Sequence, residues 1–399
     1  MIAFTWFAAL AGGVGGEWGA YRELLRLPGV GAQAGLGYLA QFSQQVATVG
    51  IVLVAQAATG SLAVAGAAAA GYSVATGIAR PVQGRLIDRR GTRPVLAVSV
   101  VMHTGALLAL VAGASLGWPG WALVVPACLA GAGLPPISVA MRVELGRRVP
   151  EGDRTSAYSL VYLVQELAIL TGPLLFGLMI AAVPASSALA AVALLAGAGT
   201  LGFARALRGA DPRGGDGARG SVLRVGRMRL LIAVTSLLGG AFGALEVGLP
   251  ALAVERGSPV LAALLIAVLS VGGVAGALAY GSRAWPGRPG HRLPVLLLAM
   301  GLVLVPLPAA PLPALCVLLF ACGVALNPAL TTASLLVDEI VPRSQAEAFG
   351  WISTALGLGA GAGGALAGVA AEHLGPSPSL VTAAVPALAA AALALPLRP

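Results

Sequence analysis

The chain has 399 residues, of which 58% are hydrophobic and only 10% are charged, and its mean hydropathy is +0.91. Soluble domains carry about 25% charged residues, so this composition excludes a soluble globular protein and indicates an integral membrane protein. The net charge of +9 comes from arginines in short loops between apolar runs, which indicates a topology signal and argues against nucleic-acid binding.

The first 30 residues precede the first long apolar run. Residues 1–16 are apolar, but they lack the basic start of a signal peptide and are shorter than the roughly 20 residues that cross a membrane. We therefore predict that residues 1–30 form a cytoplasmic or interfacial N-terminal arm.

Twelve apolar runs follow, each close to the roughly 20 residues needed to cross the hydrocarbon core. We number them span 1 to span 12. Because arginines gather in every second loop, the positive-inside rule places those loops and both termini in the cytoplasm. The predicted spans are 32–57, 62–83, 94–116, 121–145, 157–182, 186–205, 229–254, 259–280, 293–311, 313–337, 348–371 and 378–397.

A polar segment separates the sixth span from the seventh. Residues 206–228 are rich in glycine and arginine and lack hydrophobic periodicity, which predicts a flexible cytoplasmic linker. The linker divides the chain into two units of six spans, residues 31–205 and 229–399. The second unit echoes the first, since Val149-Pro150 recurs as Val341-Pro342, and this indicates an internal repeat.

The loop between spans 2 and 3 carries the most specific motif, GRLIDRRGTRP at residues 84–94. Two glycines able to leave helical geometry predict a tight polar turn here. The segment resembles the signature loop of the major facilitator superfamily, a Gly, an Asp four residues on, basic residues, a second Gly and another basic residue. The residues that fill this pattern are Gly84, Asp88, Arg89, Gly91 and Arg93.

This resemblance implies an all-α polytopic membrane protein, with twelve transmembrane helices in two pseudo-symmetric six-helix bundles. It also implies a substrate cavity near the bilayer midplane, lined chiefly by spans 1, 4, 7 and 10. By analogy with the family, Asp88 and Arg93 would join Glu144 and Arg148 in a charge cluster that closes the cytoplasmic side.

Polar residues in spans 1 and 10 are the candidates for this cavity. A buried amide is costly unless it has a partner or faces water, so one face of glutamines favours a cavity wall. Hydrogen bonding between helices is the alternative. Such a cavity would be apolar and amide-lined with few fixed charges, which argues against a highly charged substrate. The candidate residues are Gln41, Gln44, Gln45 and Thr48 of span 1 and Asn327 and Thr331 of span 10.

Two carboxylates deep within spans are the candidates for proton coupling, Glu166 in span 5 and Glu246 in span 7. A carboxyl group shielded from water can hold a proton and release it when the site opens. The alternative for Glu166 is a static intramembrane pair with Arg142 of span 4.

Glycines in two later spans indicate how the helices bend and pack. Gly172-Pro173 in span 5 resembles a motif of the family's exporters, although the arginine that many drug exporters place early in span 4 is absent from this sequence. Span 11 carries glycines about four residues apart, which predicts close approach of a neighbouring helix. These glycines are Gly357, Gly361, Gly364 and Gly368.

The sequence thus predicts a secondary active transporter in a bacterial cytoplasmic membrane, moving a small organic molecule by alternating access. Proton-coupled efflux by a monomer is the favoured mode. A facilitator or importer, or a transport-silent sensor or scaffold on the same fold, are the alternatives. Scattered histidines and cysteines predict no metal, cofactor or enzymatic site, so the expected partners are a small-molecule substrate, protons and the lipid bilayer.

Overall fold

The computed structural model of the chain describes residues 19–207, 221–258, 260–283, 285 and 287–398. Most of the predicted arm and linker therefore lies outside the described residues. Within them, twelve helical segments are long and apolar enough to cross a membrane, which confirms the predicted number. Their bounds are Val30–Thr59, Leu62–Arg90, Thr92–Ser115, Gly120–Arg148, Glu151–Ala182, Ala185–Ala206, Gly226–Glu255, Val260–Gly281, Pro289–Ala309, Leu312–Ile340, Gln345–Leu374 and Pro376–Leu397.

Several spans are built from more than one helical piece. A short helix, Gly19–Arg26, precedes span 1, and a 3-10 turn, Val222–Arg224, precedes span 7. Spans 5, 9 and 12 each include a 3-10 turn at one end. These turns are Glu151–Asp153, Leu307–Ala309 and Leu395–Leu397.

The spans form two six-helix bundles, spans 1–6 and spans 7–12, that face each other across a central cavity. One end of the molecule holds Arg85, Arg147, Arg154 and Arg343, because each lies at or beyond a span end on that side. We call it the arginine-rich end, and the other the opposite end.

The signature segment is more helical than the sequence predicts. Span 2 continues to Arg90, so Gly84 and Asp88 lie within the helix. Only Gly91 breaks it, with a φ of 89° that favours glycine. The prediction of a turn beginning at Gly84 is therefore wrong: this glycine is needed for close helix packing, as described below.

Spans 7 and 11 pack through glycines, and of the predicted glycines Gly364 lies at this contact whereas Gly357 and Gly361 do not. A methyl at Gly363 would collide with the Gly240 carbonyl of span 7, and one at Gly359 would lie 3.0 Å from the Gly240 nitrogen. A methyl at Gly357 or Gly361 would meet nothing within 4 Å. The reason is angular, since a shift of two residues turns about 200° around a helix.

A candidate substrate cavity and the contacts that close one end

A cavity of about 860 Å³ lies between the bundles. This volume is within the roughly 300–1,000 Å³ of small-molecule sites. Side chains from spans 1, 2, 4, 5, 10 and 11 line it, whereas the resemblance implies spans 1, 4, 7 and 10. Span 7 contributes no lining side chain among the described residues. Polar groups on the wall include Tyr72, Arg80, Arg142, Glu166, Asn327 and Trp351.

A break in span 4 shapes one side of the cavity. The helix stops at Gly133 and resumes at Ile137, because consecutive prolines at 135 and 136 lack the N–H groups that continue a helix. The freed carbonyls need donors from elsewhere. Gln83 of span 2 supplies them, with its Nε2 donating to the carbonyls of Ala132 at 3.0 Å and Leu134 at 3.1 Å.

Arg80 of span 2 lies beside this break and lines the cavity. Its guanidinium donates to the Leu134 carbonyl at 3.4 Å and to the Gln44 side-chain oxygen at 3.3 Å. Only 7% of the residue is exposed. No ion pair within 4.0 Å joins it to a carboxylate in the described part of the chain.

Arg142 of span 4 is the second arginine on the cavity wall and is 4% exposed. Its guanidinium carbon lies 4.7 Å from the ring centre of Tyr162 and 5.2 Å from that of Phe349, and its Nη2 donates to Gln165 at 3.2 Å. Its Nε has no hydrogen-bond partner among the described residues. The structure does not pair it with Glu166.

Glu166 instead contacts the other bundle. Its carboxylate accepts a hydrogen bond at 3.2 Å from Asn327 of span 10, which also donates to the Gly273 carbonyl of span 8 at 2.8 Å. A methyl at Gly273 would lie 3.0 Å from both side chains, so the close approach depends on glycine there. Glu166 and Asn327 therefore join the bundles within the cavity wall.

The structure divides the other predicted cavity residues between the cavity wall and contacts within or between helices. Gln44 lines the cavity, whereas Gln41 donates to the carbonyl of Gly37 in its own helix. Gln45 packs where span 5 approaches at Gly172. Thr331 lies 3.4 Å from the Ser159 hydroxyl, and half-buried Thr48 is outside the lining.

Glu246 and the Gly-Pro motif lie outside the lining of this cavity. Glu246 is exposed along span 7 and is not among the described residues that line this cavity. Gly172 allows close packing, since a methyl there would lie 2.9 Å from the Cβ of Gln45, and Pro173 stays within a continuous helix. The motif therefore positions span 5 against span 1.

One contact at the arginine-rich end, the Asp88 contact, joins spans 2 and 11. The Asp88 carboxylate accepts from the backbone N–H of Ala346 at 3.1 Å and of Glu347 at 2.8 Å, in the first turn of span 11. The local N-cap, Ser344, makes no side-chain cap, so Asp88 of the other bundle takes that role. Arg85 also forms a bidentate pair with Glu347, at 2.6 and 3.1 Å.

A second contact, the Asp338 contact, joins spans 5 and 10. The Asp338 carboxylate accepts from the Tyr158 hydroxyl at 2.6 Å and from Arg154 at 3.3 Å. It also accepts from Gln345 at 2.8 Å, so two carboxylates, one from each bundle, hold the first turn of span 11. Nearby, the Ser156 hydroxyl donates to the Gly281 carbonyl of span 8 at 2.5 Å.

The two arginines of the predicted charge cluster bind backbone carbonyls. Arg93 donates to the carbonyl of Leu207, and Arg148 donates to the carbonyl of Pro28 at 2.7 Å. Glu144 is buried in span 4, and Arg89 is exposed. Asp88 bridges the bundles through its hydrogen bonds to the first turn of span 11.

Three important residues were missed in the sequence. Arg80 stands alone in an apolar run, and a charge at that depth is itself a signal of function. Glu347 and Arg154 flank their spans among ordinary loop charges, so no local pattern distinguishes them from topology signals.

Comparison with known proteins agrees with this architecture. The family model described as Major Facilitator Superfamily matches residues 34–290. The chain belongs to the major facilitator superfamily. No curated protein sequence matches it.

Solved structures of this superfamily fold are similar over nearly the whole chain. A variant of the E. coli fucose:proton symporter FucP has a TM-score of 0.74 and 14% identity, covering 94% of this chain and 100% of that one. A bacterial homologue of the iron transporter ferroportin, in the outward-facing state, has a TM-score of 0.73 and 16% identity, covering 92% of this chain and 98% of that one. The human organic anion transporter TETRAN has a TM-score of 0.67 and 17% identity, covering 98% of this chain and 95% of that one.

At these identities the likeness shows the fold alone. The chain is thus a multi-pass membrane protein with a transporter fold, which supports movement of a small molecule across a membrane. The family and fold are those of transporters rather than enzymes.

Proposed function

We propose that the chain is a secondary transporter that moves a small organic molecule by alternating access, and that the central cavity is its substrate site. The cavity lies between bundles that we assign to residues 31–205 and 229–399, and the Asp88 and Asp338 contacts close it at the arginine-rich end. Within the described residues, hydrogen bonds join the bundles from that end only as far as Glu166 and Asn327. The structure therefore resembles the state open toward the opposite end.

We assign the arginine-rich end to the cytoplasm of a bacterial cell. Arginines near span ends resist translocation, so the side that carries them faces the cytoplasm. Because twelve spans return the chain to its starting side, both termini share that side. The closed end then faces the cytoplasm, and the cavity opens outward.

Proton coupling through Glu166 is the next part of the proposal, and its hydrogen bond to Asn327 is the observation that supports it. The pair spans the two bundles, so it must break or reform as they move. A carboxyl group there can bind a proton in one state and release it in the other, because water access differs between them. With the cavity alternately open to each side, this cycle supports proton-coupled efflux.

Glu166→Gln should abolish proton movement coupled to the substrate while leaving substrate binding measurable. Glutamine keeps the hydrogen-bond acceptor for Asn327 but cannot exchange a proton. The measurement is pH-dye fluorescence in inside-out vesicles, with a compound first shown to raise the protein's melting temperature.

Glu246→Gln is the matched comparison, since Glu246 is exposed and outside the cavity. It should retain proton movement. Unchanged proton movement in Glu166→Gln would remove this residue from the mechanism, and loss in Glu246→Gln alone would assign coupling to span 7. The sign of the proton signal also separates efflux from symport, the mode named for FucP.

A further inference from the structure

We propose that the cavity recognises an organic anion, with an oxyanion head group held by Arg80 and Arg142 and an apolar body against the remaining wall. This specificity rests on the cavity being the substrate site proposed above. This proposal differs from the prediction made from the sequence, which was an amide-lined cavity with few fixed charges. The difference is Arg80, whose charge the prediction did not include.

The charges on the cavity wall are unbalanced. Its charged lining residues are Arg80, Arg142 and Glu166, two cations and one carboxyl group. In the described part of the chain, neither guanidinium lies within ion-pair distance of a carboxylate, although both arginines are more than nine-tenths buried. A buried charge without a counter-ion is costly, so the site is built to be completed by an anion.

The two arginines that join the bundles at the closed end differ from those in the cavity, because each has a carboxylate partner. Arg85 pairs with Glu347 at 2.6 Å, and Arg154 pairs with Asp338 at 3.3 Å. Where an arginine joins the bundles for closure, the chain supplies a carboxylate. In the cavity it supplies Gln44, Gln165 and aromatic faces, which orient a guanidinium without neutralising it.

Unpartnered polar atoms on the wall also point to an acceptor-rich ligand. Among buried polar atoms without a hydrogen bond, those on lining residues are Arg142 Nε, Trp351 Nε1 and the Tyr72 hydroxyl. All three can donate. Among the described residues outside the lining, the unpartnered atoms are of both kinds, including the oxygens of Gln41 and Gln83 and the Nε atoms of Arg154 and Arg292. An oxyanion accepts several hydrogen bonds at once, and guanidinium groups bind it with matching geometry.

The remaining lining residues determine the size and polarity of the ligand's apolar body. Apolar side chains of spans 2, 10 and 11 contribute Val74, Ile78, Leu330 and Leu358. In a cavity of about 860 Å³, these can cover a fused aromatic ring or a short alkyl chain. The expected ligand is therefore amphipathic, with one oxyanion group.

Calorimetric titration of the purified full chain in a neutral detergent tests the charge preference directly. The probes share one naphthalene body and differ in head group: 2-naphthoate, 2-naphthyl phosphate, neutral 2-naphthamide and cationic 2-naphthylmethylammonium. We expect the two oxyanions to bind about tenfold or more tightly than the amide and the cation, because hydrogen bonds to charged groups are strong. The tighter of the two assigns the head group as carboxylate or phosphate.

Arg80→Gln and Arg142→Gln should each reduce oxyanion affinity about tenfold or more and leave the amide unaffected. Arg147→Gln is the matched control, since Arg147 belongs to the same span as Arg142 but is exposed at the arginine-rich end. Arg142→Lys should retain part of the preference, because it keeps the charge and loses the planar fork.

Equal affinity for the four probes, or a preference for the cation, would overturn the proposal on the wild-type protein alone. So would an oxyanion preference that survives both glutamine variants. Failure of the proposed transport function gives a different pattern, in which oxyanions bind and depend on both arginines but are not moved across reconstituted vesicles.

Discussion

Gly84→Ala should prevent the arginine-rich end from closing. A methyl at this position would collide with the Ala346 carbonyl and lie 2.8 Å from the Cα of Glu347, and both obstacles are backbone that cannot rotate away. Reversing a two-state equilibrium from 99:1 to 1:99 takes about 5.5 kcal/mol, so even part of that cost would change the closed population measurably. The measurement is thiol labelling of Ser138→Cys, a cavity position, from the arginine-rich side in oriented membranes.

We expect labelling from that side to rise at least about tenfold in Gly84→Ala, as the closed state loses its population. Gly66→Ala is the matched control, because it adds the same methyl to span 2 where nothing lies within 4 Å. Both substitutions raise helix propensity equally. An unchanged labelling rate in Gly84→Ala would show that span 11 does not close against this glycine.

The double variant Asp88→Asn, Asp338→Asn should open the same end by removing both carboxylates that hold the first turn of span 11. Each charged contact is worth about 1–2 kcal/mol, so each single variant should shift the closed population about tenfold and impair switching without blocking membrane insertion. The double variant should shift it about a hundredfold if the contributions add. The same Ser138→Cys labelling reports the population.

Asp153→Asn is the control, since Asp153 is an exposed carboxylate at the same end with no side-chain cap hydrogen bond. If Asp88→Asn alone gave the full opening of the double variant, the Asp338 contact would carry no weight in closure. That outcome would favour the interpretation from sequence, in which closure depends mainly on the signature segment together with Glu144 and Arg148.

The spans could be predicted from the sequence because apolar length is a local property. The number of spans and the family followed from runs of about 20 residues and from one loop motif. The end of span 2 near Gly84 could not be predicted in this way. A glycine in a polar stretch indicates a turn, whereas packing against Ala346 keeps Gly84 helical. A contact between residues so distant in the chain leaves no local pattern.

The candidate site was harder to predict for the same reason. Asn327 and Glu166 were recognisable as polar groups deep in apolar runs, but their hydrogen bond depends on how the two bundles meet. Arg80 was visible as a lone charge inside the predicted second span, but the sequence-based prediction gave it no role. The partners of Asp88 could not be foreseen, because they are backbone N–H groups that every residue carries.

The central claim is that the cavity binds a small molecule and opens to one side at a time. Labelling of Ser138→Cys with a membrane-impermeant thiol reagent, after replacement of Cys128, Cys316 and Cys322, tests it most directly. With closure intact, we predict labelling from the opposite end, slow labelling from the arginine-rich end, and protection by 2-naphthoate. Equal labelling from both sides without protection by any of the four probes would contradict a ligand site with alternating access.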